Sequence, residues 1–67
     1  MRLRNLEAEM ARIGITQEAL ANAVKVSGAT ISNYVTCKTA PSIYDAAAIK
    51  KALGVDIPIE VLFEAVD

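Results

Sequence analysis

Apolar residues recur along this chain at steps of three and four, broken at short intervals by a glycine, a hydroxyl residue or a proline. That period belongs to helices. Leu3, Leu6, Met10 and Ile13 lie on one stripe and predict a first helix over about Arg2 to Ile13, closed by Gly14. Ile15, Thr16 and Leu20 then stand as a hydrophobic staple around an N-cap, with the Thr16 hydroxyl placed to accept from an early backbone N–H. A second helix is predicted over Gln17 to Val24, with Leu20, Ala21 and Val24 turned inward.

Val26, Ser27 and Ile31 repeat the same device, so Ser27 caps a third helix over about Gly28 to Val35. Only Lys25 and Val26 separate the second helix from this cap. The two axes must therefore meet at a sharp angle, as in a helix-turn-helix. Pro41 bars helix after the third element. Ser42 caps a fourth, with Asp45 at the capping-box position and Ile49 and Leu53 facing inward up to Gly54. Pro58 suits the first turn of a fifth helix, predicted from Pro58 to about Val66. The expected fold class is all-α: a compact bundle of five short helices forming one domain over residues 1–67.

Composition narrows the chemistry. The chain has no histidine, and Cys37 is its only cysteine, so no zinc cluster, disulfide or Cys/His or Ser/His catalytic pair can be assembled. Its three glycines make no phosphate-cradling loop, and its carboxylates fall on surface positions of the predicted helices. An enzyme is not expected, nor a metal or any other cofactor. A lone thiol points to a reducing compartment. No signal-peptide pattern or bilayer-length apolar run is present, so a cytoplasmic domain with no membrane partner is expected.

The net charge of −1 runs against the basic balance usual for nucleic-acid binders. Its distribution changes the picture. All seven basic residues lie in residues 1–55 against four acids, whereas residues 56–67 carry Asp56, Glu60, Glu64 and Asp67 and no base. Such a polar molecule can present a weakly positive face, with binding that is modest and salt-sensitive.

With Ser27 as cap, Gly28, Ala29, Ser32, Asn33 and Thr36 project from the third helix away from Ile31 and Val35. A face of small and amide residues fits a major groove, where Asn pairs with adenine and Ala meets a thymine methyl. Solvated helix residues would look the same in isolation. The strings ITQEALANAV, KVSGATISNYVTCK and APSIYDAAAIKKALGV carry the wider pattern, which resembles the Cro/CI-like, XRE-type family of helix-turn-helix regulators with a lambda-repressor-like domain. That resemblance implies double-stranded DNA as partner. It implies base readout by Gly28, Ala29, Ser32 and Asn33, and backbone contacts from Thr16, Gln17, Ser27, Thr30, Lys38 and Thr39.

The chain departs from the family pattern at several positions. Lys25 and Cys37 stand where glycine is frequent, which predicts a left-handed backbone or an altered turn at each. Met10 and Val35 replace a buried Arg–Glu pair, a change compatible with the fold. Gly28 and Ala29 are shorter than the usual readers. Cys37 reads as a small filler at a helix end, with a redox role as the alternative, and Tyr34 as a residue packed beside Ile31 rather than on DNA.

Ile57, Ile59, Val61, Leu62, Phe63, Ala65 and Val66 leave few polar positions near the C-terminus. Some of that surface is expected to form a homodimer through the C-terminal helix, as the resembled family does, unless it simply closes the core. Half-sites would then lie about 34 Å apart. The resulting expectation is a sequence-specific transcriptional repressor with no evident small-molecule effector. The rival is a protein-interaction module, such as an antitoxin-like or adaptor subunit, on the same fold.

Overall fold

The computed structural model describes residues 1–67 and contains five helices: α1 (Arg4–Ile13), α2 (Gln17–Val24), α3 (Gly28–Val35), α4 (Ile43–Leu53) and α5 (Ile59–Leu62). The middle three begin as their local chemistry dictates. The hydroxyl of Thr16 accepts from Ala19 N–H at 3.0 Å, that of Ser27 from Thr30 N–H at 3.1 Å, and that of Ser42 from Asp45 N–H at 3.1 Å. Each bond satisfies one of the donors a helix leaves open at its start.

The helix ends share a second device. Val26 N–H reaches back to Ala21 O at 2.9 Å, and Lys38 N–H to Asn33 O at 2.9 Å, the six-to-one bond of a Schellman turn. Both turns need a left-handed residue, and here it is not glycine: Lys25 has φ 62° and Cys37 φ 61°. Gly14 and Gly54 hold the corresponding positions after α1 and α4, at φ 83° and 67°. The left-handed alternative raised by the sequence at Lys25 and Cys37 is thus the one adopted.

Leu6, Leu20, Ile31, Val35, Ile49 and Leu62 are fully enclosed at the centre, and no polar or charged residue is buried with them. α2 packs on α3 and α4, and α1 touches α3, α4 and α5, while the backbones of α3 and α5 do not approach closely. Met10 and Val35 are both buried, an apolar contact region between α1 and α3.

Three sequence expectations need correction. α1 starts at Arg4 rather than Arg2, because the backbone N–H groups of Arg2 and Leu3 are hydrogen-bonded to Val66 and Val35 and Leu3 is not helical. Ile13, the last residue of α1, is 42% exposed and does not join Leu3, Leu6 and Met10 in the core. α5 is one turn and stops at Leu62, after which the chain runs back along the N-terminal segment and forms an antiparallel bridge between Val66 and Arg2. Pairing with that segment satisfies backbone groups that a longer helix would otherwise have satisfied internally.

Candidate nucleic-acid interface

The third helix carries its apolar residues on one side. Ile31, Tyr34 and Val35 are buried, while Gly28 and Ala29 are exposed and Ser32 and Asn33 half-exposed. The side-chain amides of Asn33 and Gln17 make no hydrogen bond within the protein, although Asn5 and the hydroxyls around them do. Asn33 retains two donors and an acceptor for an external partner.

The hydroxyls at the helix starts are partly committed. Ser27 Oγ and Thr30 Oγ1 lie 2.8 Å apart. Two hydroxyls so paired use one hydrogen between them and leave the other to donate outward. Thr16 uses a lone pair for its cap and keeps its own O–H. Thr36 differs: it is half-buried and its hydroxyl donates to Ser32 O at 2.8 Å, so it does not project outward as the sequence suggested.

Lys38 and Thr39 are exposed, and their backbone N–H groups both turn back to Asn33 O, at 2.9 and 3.3 Å. One carbonyl therefore anchors the whole loop beside the end of α3. The left-handed Cys37 makes this reversal possible, and its side chain packs half-buried against the core, as a small filler would. Gly28 needs no special backbone and has open space around it, so a partner can approach the start of the helix closely.

Tyr34 packs inward, as expected, and its phenol donates to Asp45 Oδ2 at 2.6 Å. That hydrogen bond, with burial and the Asp45 charge adding to it, raises the Tyr34 pKa above its ordinary value. The pairing also corrects two readings of Asp45. Its carboxylate is half-buried rather than on the surface, and it closes the α3–α4 corner instead of returning to the cap of its own helix.

Sequence reading missed the most exposed large apolar residues near this loop. Ile43 is 75% and Tyr44 83% exposed at the start of α4. Helical rotation would have found Tyr44, which lies opposite the buried positions Ala46, Ile49 and Leu53, but not Ile43, which is one turn before Ala46 on the same side and is exposed all the same.

Two helices capped by hydroxyls and joined by a three-residue reversal, with a free amide on the outer face of the second, define a helix-turn-helix protein. A sequence profile of the helix-turn-helix family matches residues 6–59, and the chain belongs to that family, in its XRE-type branch with a lambda-repressor-like fold. DNA binding in a regulatory role is the general function this fold supports. Comparison with curated proteins and with solved structures finds no match.

Proposed function

We propose that this protein is a sequence-specific DNA-binding transcriptional regulator of the cytoplasm, acting as a repressor by occupying its site. In this reading α3 enters the major groove, and Gly28, Ala29, Ser32 and Asn33 face the base edges. Thr16, Gln17, Ser27, Thr30, Lys38 and Thr39 meet the backbone on either side. The observation that carries the reading is the unengaged Asn33 amide on the outer face of α3, accompanied by the Ser27–Thr30 hydroxyl pair, which keeps one hydrogen to donate, and by Thr16, which keeps its own. The first N–H groups of α2 and α3 add partial positive charge toward phosphate.

The chain is proposed to act as a homodimer through its C-terminal end. α5 packs on α1 and α4 and leaves α3 free, and Val61 remains 44% exposed there. Asp56, Glu60, Glu64 and Asp67 are all exposed along the same segment.

A second reading, a protein-interaction module, is favoured by the exposed Ile43–Tyr44 pair and by the net charge of −1. Selection of bound duplexes from a random pool at moderate salt separates the two. Enrichment of an inverted repeat with half-sites about one turn apart, roughly 34 Å, supports the dimeric regulator. Binding without enrichment that vanishes as salt rises supports the module. Within the first outcome, Asn33→Ala relaxes preference at one base position by about 1–3 kcal/mol, while Lys38→Ala weakens all duplexes alike and lowers the salt slope by about 1.

A further inference from the structure

The two ends of the chain meet beside the last turn of α3. Arg2 and Val66 exchange backbone hydrogen bonds in both directions, at 2.8 and 3.0 Å, and Leu3 N–H donates to Val35 O at 2.9 Å. Leu3 is buried, and the Arg2 guanidinium grips Glu7 through two bonds of 3.0 and 2.9 Å. Asn5 Nδ2 adds a bond to Val61 O at 2.9 Å. Beyond this junction lies an apolar cleft of about 190 Å³ whose lining includes Phe63 and Ala65 from the C-terminal segment and Cys37 and Thr39 from the loop after α3. The C-terminal segment thus approaches that loop by two routes, through Leu3 and Val35 and across the cleft.

The last carbonyls of a helix have no partner inside it. At the end of α3 one of them, that of Val35, is taken by an amide from the N-terminal segment, which is in turn paired to Val66. Asn33 lies in the same turn and its carbonyl anchors the Lys38 and Thr39 amides, so loosening this turn displaces the helix end and the loop together.

We propose that the Arg2–Val66 bridge and the Leu3–Val35 hydrogen bond form a clasp that positions the end of α3 and the Lys38–Thr39 loop for DNA. Affinity then depends on the backbone pairing of Val66, which itself lies outside the proposed DNA contacts. Arg2, Leu3 and Val66 are positioning residues. The inference rests on the reading of α3 and this loop as DNA contacts.

Val66→Pro removes the amide that donates to Arg2 and leaves an apolar side chain and every charge in place, whereas Val66→Ala keeps the amide. Both are compared with the unaltered chain by circular dichroism, by affinity for its selected duplex, and by amide hydrogen exchange without DNA. Val66→Pro is expected to weaken binding about fivefold, or about 1 kcal/mol at 1.4 kcal/mol per decade. Exchange at Lys38 and Thr39 should quicken with it, and Val66→Ala should leave both unchanged. Arg2→Pro against Arg2→Ala repeats the test at equal charge from the other strand, and decides it if Val66→Pro does not fold. A folded proline variant that matches its alanine counterpart in exchange overturns the clasp. Faster exchange with unaltered affinity overturns its positioning role. If the unaltered chain binds no duplex, the DNA reading fails, and exchange alone then decides whether the clasp holds the loop.

Discussion

The helices in the middle of this chain and those at its ends are held by different means. α2, α3 and α4 each start from a hydroxyl that caps a backbone N–H, whereas α1 and α5 have no side-chain cap at all. α1 starts where Leu3 turns away to meet α3, and α5 stops where the chain returns toward Arg2. The middle helices are specified by neighbours in sequence, the terminal ones by neighbours in space. An isolated helix of these lengths is marginal in water, so both groups need the core, but only the terminal ones also need it to define their limits.

The largest expected contrast comes from the core of the terminal group. Leu62 is the only buried residue of α5, and Leu62→Ala is expected to cost about 2–5 kcal/mol. Urea or thermal unfolding reads this directly, and a loss below about 1 kcal/mol would mean that α5 is held by something other than its one enclosed side chain. The middle group breaks more gently. Thr16→Ala and Ser27→Ala each remove one cap and should cost about 1 kcal/mol, with Ser27→Ala also freeing the hydroxyl of Thr30. Equal losses on removing hydroxyls that cap nothing would erase the distinction between the groups.

A smaller effect of opposite sign is expected at the turn between α2 and α3. Lys25 is exposed at φ 62°, so Lys25→Gly should stabilise by up to about 1 kcal/mol. Cys37→Gly relieves the same strain at φ 61° but gives up a side chain packed on the core, and should gain less. Chemical denaturation of the two variants side by side measures the difference.

The smallest effect is a pH dependence at the chain ends. The hydrogen bonds from Arg2 hold the Glu7 carboxyl below the ordinary carboxylate range. A depressed folded pKa contributes stability that is present above the unfolded value and lost as pH falls through the folded one. Stability should therefore decline on acidification below the ordinary carboxylate range, and Arg2→Ala should flatten that decline. Both side chains are partly exposed, so the slope is small. Tyr34 acts at the other extreme: its raised pKa contributes stability below the ordinary phenol value that is lost as pH rises through the folded one.

Particular residues show how far the sequence could be read. Thr16, Ser27 and Ser42 announced their helices because a cap bond spans three residues and involves nothing distant. At Lys25 and Cys37 a left-handed backbone and an altered turn both stood open in the sequence, and the Schellman turns decide for the first. The Tyr34–Asp45 bond was not legible: either residue has an ordinary role within its own helix, and only the α3–α4 corner brings them together. The candidate interface was readable to the same depth. The outward side of Gly28, Ala29, Ser32 and Asn33 follows from helical rotation, while the inward hydroxyl of Thr36 depends on how α3 ends.

By itself, then, the sequence determined the all-α class, the bounds of α2 and α3 and the inward residues of the middle helices. These depend on interactions spanning a few residues, whose geometry the local backbone already supplies. Tertiary structure alone decided where α1 begins, where α5 ends, and that Arg2 pairs with Val66 from the far end of the chain. An extended segment carries no internal hydrogen bonds, so its partner is chosen only when the folded core brings another backbone beside it.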